Sequence, residues 1–190
     1  MIALVLLAQL AATTPKPHVF EADLHVGLSV DVGEQAVQEL AISDRRLGGT
    51  LSGALVYKTR YFLSPFLDVG YTNASSGGTI VPAFQTGGPA IADQRLSVWN
   101  LSSGLAFDTW RLRFQGGLGL GIVVLRTRLA GDESRADRAG PLAFFAIGLD
   151  LVHRPSFDLA LKLRALLSSQ HLDVQVFSIG LEIRGDVFRF

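Results

Sequence analysis

The chain has 190 residues, of which 48% are hydrophobic and only 18% charged, with a formal net charge of zero and no cysteine. That length suits one domain, and the charge balance gives no basis for a nucleic-acid partner. Without thiols there is no disulfide framework and no cysteine chemistry. Mean hydropathy is +0.34, yet the sole long apolar run is the first dozen residues, too short to span a bilayer as a helix. High hydropathy without a spanning helix points to strands as the membrane-crossing elements.

Residues 1–12, MIALVLLAQLAA, have the apolar core and small-residue end of a secretory signal, with a cut expected around Ala11 to Thr13. The positively charged leader is missing, as it would be if the start codon lay further upstream. The competing reading is a buried N-terminal strand or helix. Residues 13–18 then form a short linker with two prolines, and 19–190 form the folded domain.

From Phe20 to Val32 apolar and polar residues alternate: Phe20, Ala22, Leu24, Val26, Leu28, Val30 and Val32 against Glu21, Asp23, His25, Gly27, Ser29 and Asp31. Strict period two over this length predicts a strand and excludes an amphipathic helix. A polar loop is expected over 33–46. A second strand is predicted from Leu47 to Tyr57, and a third from about Leu63 to Thr72, with Pro65 near its start because proline has no N–H to donate. Residues 73–94, rich in Gly, Ser, Ala and Pro, read as the longest loop.

Trp99 to Arg128 reads as a hairpin supplying strands four and five. Trp99, Leu101, Leu105 and Phe107 share a face, as do Trp110, Leu112, Phe114, Leu118, Leu120, Ile122 and Val124. A two-residue turn at Asp108-Thr109 would set Phe107 opposite Trp110, Leu105 opposite Leu112 and Trp99 opposite Leu118, so the apolar faces coincide. Residues 129–140, LAGDESRADRAG, read as a charged loop. Three further strands follow: Leu142 to Val152, Phe157 to Leu167 after a reversal at 153–156, and about Asp173 to Ile183.

Eight strands of roughly ten residues, with short and long connections alternating, are the pattern of an up-and-down barrel inserted from one side. The even strand count places both termini on the short-turn side. The expected fold is all-β: an eight-stranded antiparallel up-and-down transmembrane β-barrel. Alternation alone also fits a soluble, lipocalin-like barrel with the apolar face inside. The polar face decides against it. Gly27, Gly70, Gly104, Gly117, Gly119, Gly121, Gly148 and Gly180 recur there among Asp, Glu and Arg, and glycine weakens an exposed strand. Inside a narrow barrel, small residues leave room for long charged ones to cross. Tyr57, Tyr71, Trp99, Phe107, Trp110 and Phe157 lie near strand ends, as interfacial belts require.

By this pattern the chain resembles the small eight-stranded outer-membrane barrels of Gram-negative bacteria, the OmpA transmembrane domain and OmpX type. The resemblance covers nearly everything after residue 18 and implies a bacterial outer-membrane location. It also implies a C-terminal signal read by the barrel-insertion machinery, of the form polar-x-Gly-x-x-hydrophobic-x-aromatic. Gly185, Phe188 and Phe190 match it, while Ile183 stands at the polar position. Phe188 and Phe190 fall on the opposite parity to Ile179–Ile183, which calls for a bulge or a strand end near Gly185-Asp186. The expected protein is a monomer of this type, without a periplasmic peptidoglycan-binding domain because the chain stops at the last strand.

The lumen face would carry Glu21, Asp23, Asp31, Lys58, Asp68, Arg111, Arg113, Asp150, Asp158, Lys162, Arg164, Glu182 and Arg184, with His25 as a hydrogen-bonding group. Mixed signs predict ion pairs that fill the barrel, with Asp150 as partner of Arg111 or Arg113, and Lys162 and Arg164 between Asp150 and Glu182. No catalytic, metal or cofactor residues are assigned. Ser168, Ser169, His171 and Asp173 could form an acyl-transfer site, but any polar loop contains such residues. Four scattered histidines without cysteine give no metal motif. The glycines at 116–121 lack the Lys-Ser/Thr of a phosphate loop. The expected role is structural or surface-interacting, through loops 33–46, 73–94 and 129–140, whose ligand the sequence does not name. A narrow small-solute porin is the alternative, and the lipocalin-like carrier the third reading.

Overall fold

A computed structural model describes residues 18–32, 46–59, 62–75, 79–81, 90–129, 132–154, 156–168 and 175–189. Residues 1–17, the expected signal and most of the linker, lie outside the described residues, as do Phe190 and 33–45. The strands are β1 Val19–Asp31, β2 Arg46–Lys58, β3 Leu63–Ser75, β4 Thr79–Val81, β5 Ala90–Thr109, β6 Leu112–Leu129, β7 Asp132–His153, β8 Asp158–Ser168 and β9 Gln175–Arg189. All pairings are antiparallel, and β3 pairs with β5 to close the sheet. Eight strands therefore form a closed barrel, and β4 only extends the outer end of β5.

Following paired residues once around the wall, from Glu21 through Val56, Phe66, Gly104, Gly117, Phe144, Leu166 and Val176, returns to β1 at Asp31, ten residues beyond the start. Eight strands with this stagger tilt by roughly 40° and enclose a space that their own side chains fill.

The alternation sets the faces. On β1, Leu24 and Leu28 are 51% and 73% exposed, whereas Asp23 and His25 between and beside them are buried. The same holds on β9, where Leu181 and Ile183 point out and Glu182 and Arg184 point in. A water-soluble barrel would reverse this arrangement. The interior is not only charged and small, however. Val56, Phe66, Leu96, Val98, Leu142, Phe144 and Leu166 form a buried apolar cluster within it, with the Phe66 and Phe144 rings 5.4 Å apart.

Where strands approach most closely, glycine is required. A Cβ on Gly180 would lie 2.1 Å from the Val26 carbonyl oxygen, and one on Gly27 would lie 2.4 Å from that of Ile179. These two glycines face each other across β1 and β9, so neither strand can move aside for the other.

Three expectations are corrected. The turn after β5 is Trp110-Arg111, not Asp108-Thr109, so Phe107 pairs with Phe114, Leu105 with Gly116 and Trp99 with Ile122. The shift is even, which leaves the apolar faces matched; hydrophobic patterning fixes the face, and the turn fixes the register. Trp110 has a φ of 48°, the positive value that the first central residue of a two-residue hairpin turn needs. Second, 129–140 is not a loop: β6 continues to Leu129, and β7 begins at Asp132 and pairs with it throughout. Third, β5 starts at Ala90, inside the stretch read as a loop, and β3 runs on to Ser75. These extensions lack an apolar face, so the period-two signal fades while backbone pairing continues.

Candidate functional site

Two regions hold the chemistry: the charged interior, and the sheet that β5, β6 and β7 extend beyond the other strands. In the interior, Arg113 lies at the short-turn end and gathers three carboxylates. Its guanidinium is 2.5 Å from Glu21, 3.0 Å from Asp23 and 2.6 Å from Asp108. Lys58 joins Glu21 to Asp108 from β2. A second group forms on β7, β8 and β9. Glu182 accepts from Lys162 at 2.5 Å and lies 2.7 Å from Arg184, which reaches Asp150 at 2.6 Å.

Higher in the barrel, Arg164 on β8 crosses the lumen to Asp68 on β3 at 2.6 Å and donates to Asn100 at 2.9 Å. Gly70 makes that crossing possible, since a Cβ there would lie 2.7 Å from the Arg164 guanidinium. Gly148 does the same for Arg184, at 2.3 Å. The Arg164 guanidinium also lies over the Phe144 ring, 5.1 Å from its centroid. Nearest the loop end, Arg46 pairs with Asp31 at 2.5 Å and donates to Gln94, which reaches Thr127.

Of the residues singled out from sequence, Glu21, Asp23, Asp68, Arg113, Lys162, Arg164 and Glu182 are buried in the lumen, and Asp150 sits half-buried at its mouth. Arg111 does not join them. It occupies the β5–β6 turn, exposed, with its guanidinium 5.3 Å from the centre of the Trp110 ring. Asp150 serves Arg184 rather than Arg111 or Arg113, because the true turn brings Asp108, still exposed at the lumen mouth, to Arg113 as a nearer partner. Asp158 pairs with exposed His153 at the mouth. His25, also expected to hydrogen-bond, is buried opposite Glu182, but neither ring nitrogen has a hydrogen-bond partner among the described residues. Arg46, Gln94, Asn100 and Asp108 were missed as network members. Arg46 and Asp108 each sit one step from an outward residue, Leu47 and Phe107, so extending the alternation by one position finds them.

At the C-terminal end, Gly185 is half-buried and Phe188 points outward, 65% exposed. Glu21 pairs with Asp186 but Phe20 with Phe188, so Val187 is skipped as a bulge. Ser169, His171 and Asp173 lie outside the described residues.

The outer sheet differs in kind. Residues 132–139 of β7 are exposed on both faces. Above Leu142, where β8 pairing begins, β7 pairs only with β6 among the described residues.

This architecture is that of the small eight-stranded bacterial outer-membrane barrels. No family model and no curated protein sequence matches the chain, but solved structures do. The attachment invasion locus protein Ail of Yersinia pestis, in complex with the heparin analogue sucrose octasulfate, superposes with a TM-score of 0.55 at 14% identity, covering 90% of this chain and 99% of that one. Neisserial surface protein A gives 0.54 at 15% identity, over 88% and 97%. The N-terminal β-barrel domain of Pseudomonas aeruginosa OprF gives 0.51 at 11% identity, over 90% and 100%. At these identities the likeness is one of fold.

Proposed function

We propose that this protein is an integral outer-membrane barrel whose lumen is closed by crossing ion pairs and whose role is exercised by the sheet standing outside the membrane. The observation that carries this reading is the pairing of every lumen cation among the described residues. Arg46, Lys58, Arg113, Lys162, Arg164 and Arg184 each have a carboxylate within 4 Å. A conducting path would need several of these pairs to part inside a wall too narrow to hydrate the separated charges. The outward aliphatic surface supports insertion in lipid, and the bulge at Val187, which turns Phe188 outward, supports reading of the last strand by the barrel-insertion machinery. The reading needs no cofactor, no catalytic residue and no second copy.

The surface role is supported by the exposed β6–β7 hairpin and by fold likeness to barrels named for attachment and for the cell surface. Planar-bilayer recording tests the closed lumen. Wild-type protein is expected to give no defined conductance steps; steps of fixed size, altered by Arg113→Ala, would favour the narrow porin instead. Cell fractionation with protease added to intact cells tests the rest: cleavage within 73–94 is expected only if the long-loop end faces outward.

A further inference from the structure

On the outward face of the outer sheet, one cross-strand row is made of arginines only. Arg95 on β5 pairs with Arg126 on β6, and Arg126 with Arg135 on β7. The row above it alternates in sign: Asp93, Arg128, Glu133. Like charges directly opposite on neighbouring strands are destabilising, whereas the alternating row satisfies itself. The outer two arginines are partly compensated along their own strands, Arg95 by Asp93 at 3.4 Å and Arg135 by Asp137 at 2.8 Å. The hydrogen bond from Arg135 and then its charge, with a smaller contribution from Arg126, hold the Asp137 carboxyl below the usual carboxylate range. Arg126 itself has no ion pair among the described residues, and all three arginines are exposed.

Position gives the row its meaning. Two steps below it on the same face lies the pair Trp99–Ile122, each 53% exposed, with the Tyr71 ring tilted against Trp99 at 4.5 Å between centroids. Tryptophan and tyrosine sit at the headgroup level of a bilayer. Four residues along strands tilted roughly 40° place the arginines about 10 Å further out. They point sideways over the lipid rather than up from the barrel. Planar guanidinium groups there match phosphate oxygens in bidentate geometry.

We infer that Arg95, Arg126 and Arg135 form a binding site for the phosphate-bearing headgroup of an outer-leaflet glycolipid. The assignment rests on the outer-membrane reading and deepens it: the protruding sheet grips the lipid beside it before it presents anything to solvent.

The test uses full-length protein refolded in dodecylmaltoside micelles and titrated with fluorescent lipid A, alongside the same lipid stripped of its phosphates. Wild type is expected to bind lipid A about tenfold tighter than the stripped form, as loss of charge-assisted bonds implies. Arg95→Gln with Arg126→Gln should weaken lipid A binding to a similar degree, Arg126→Lys, which keeps the charge but not the bidentate fork, should keep only part of it, and Arg128→Gln should change little. Equal binding of the two lipids, or unchanged binding by the double variant, overturns the site. Preference for soluble heparin over lipid A also overturns it, since the row would then face a glycan in solution. Migration of unboiled protein in detergent gels reports the barrel separately. If wild type shows no heat-modifiable shift, the outer-membrane reading fails, and this site fails with it.

Discussion

Arg113 shows what a single residue does in this interior. Three carboxylates from β1 and β5 converge on one guanidinium, and Glu21 and Asp23 are buried with it. Arg113→Ala should therefore destabilise the barrel by about 3–5 kcal/mol, because it strands buried charge. Arg164 and Asp68 offer the converse test. Changing Asp68→Asn alone leaves a buried guanidinium short of its carboxylate, but Asp68→Leu with Arg164→Met removes both charges. The double change should cost less than either single one, as is typical of buried pairs replaced by apolar groups. Gly180→Val changes no charge but should still lose about 2 kcal/mol or more, because its new atoms meet backbone rather than a movable side chain. Urea unfolding of each variant in lipid vesicles measures all three.

At the scale of the element, the last strand and the outer hairpin carry the informative irregularities. Without the bulge, Phe188 would pair with Val19 and turn toward the lumen end; with it, Phe188 pairs with Phe20. Deleting Val187 brings Phe188 to the same partner by regular pairing. Assembly of that deletion variant should match wild type, measured as the folded fraction on unboiled gels; a clear loss would show that the bulge itself is required. The β6–β7 hairpin is a sheet edge made safe by composition. Its exposed strand carries Asp132, Glu133, Arg135, Asp137 and Arg138, with Pro141 where pairing to β8 is about to begin, and such charged, proline-bearing edges resist pairing with other chains.

For the whole molecule, the closed sheet and the outward aliphatic band make one prediction together. Unboiled protein should migrate faster than boiled protein in a detergent gel, since a barrel whose strands have no free edge in the membrane persists in detergent until heated. Equal migration, with the protein staying in the aqueous fraction after cell lysis, would overturn the membrane reading.

The strands and their faces could be read directly from the sequence, because alternation has a period of two and survives wherever one side meets lipid. Leu24, Leu51, Leu101, Ile147 and Leu181 announced the outer face, and the glycines opposite announced a cramped interior. The period-two pattern is unchanged by any even slip, so it could not choose between a turn at Asp108-Thr109 and one at Trp110-Arg111. The turn itself decided that, with Trp110 taking up a positive φ. The same limit hid the ion-pair partners: Arg164 reaches Asp68 from the far wall, a neighbour that exists only once β3 and β5 have sealed the sheet. It hid the outer hairpin too, since residues 132–139 have no apolar face to alternate. Lipid wrote its pattern into the sequence only where the chain touches lipid, and the lumen and the outer sheet take their form from strands meeting one another.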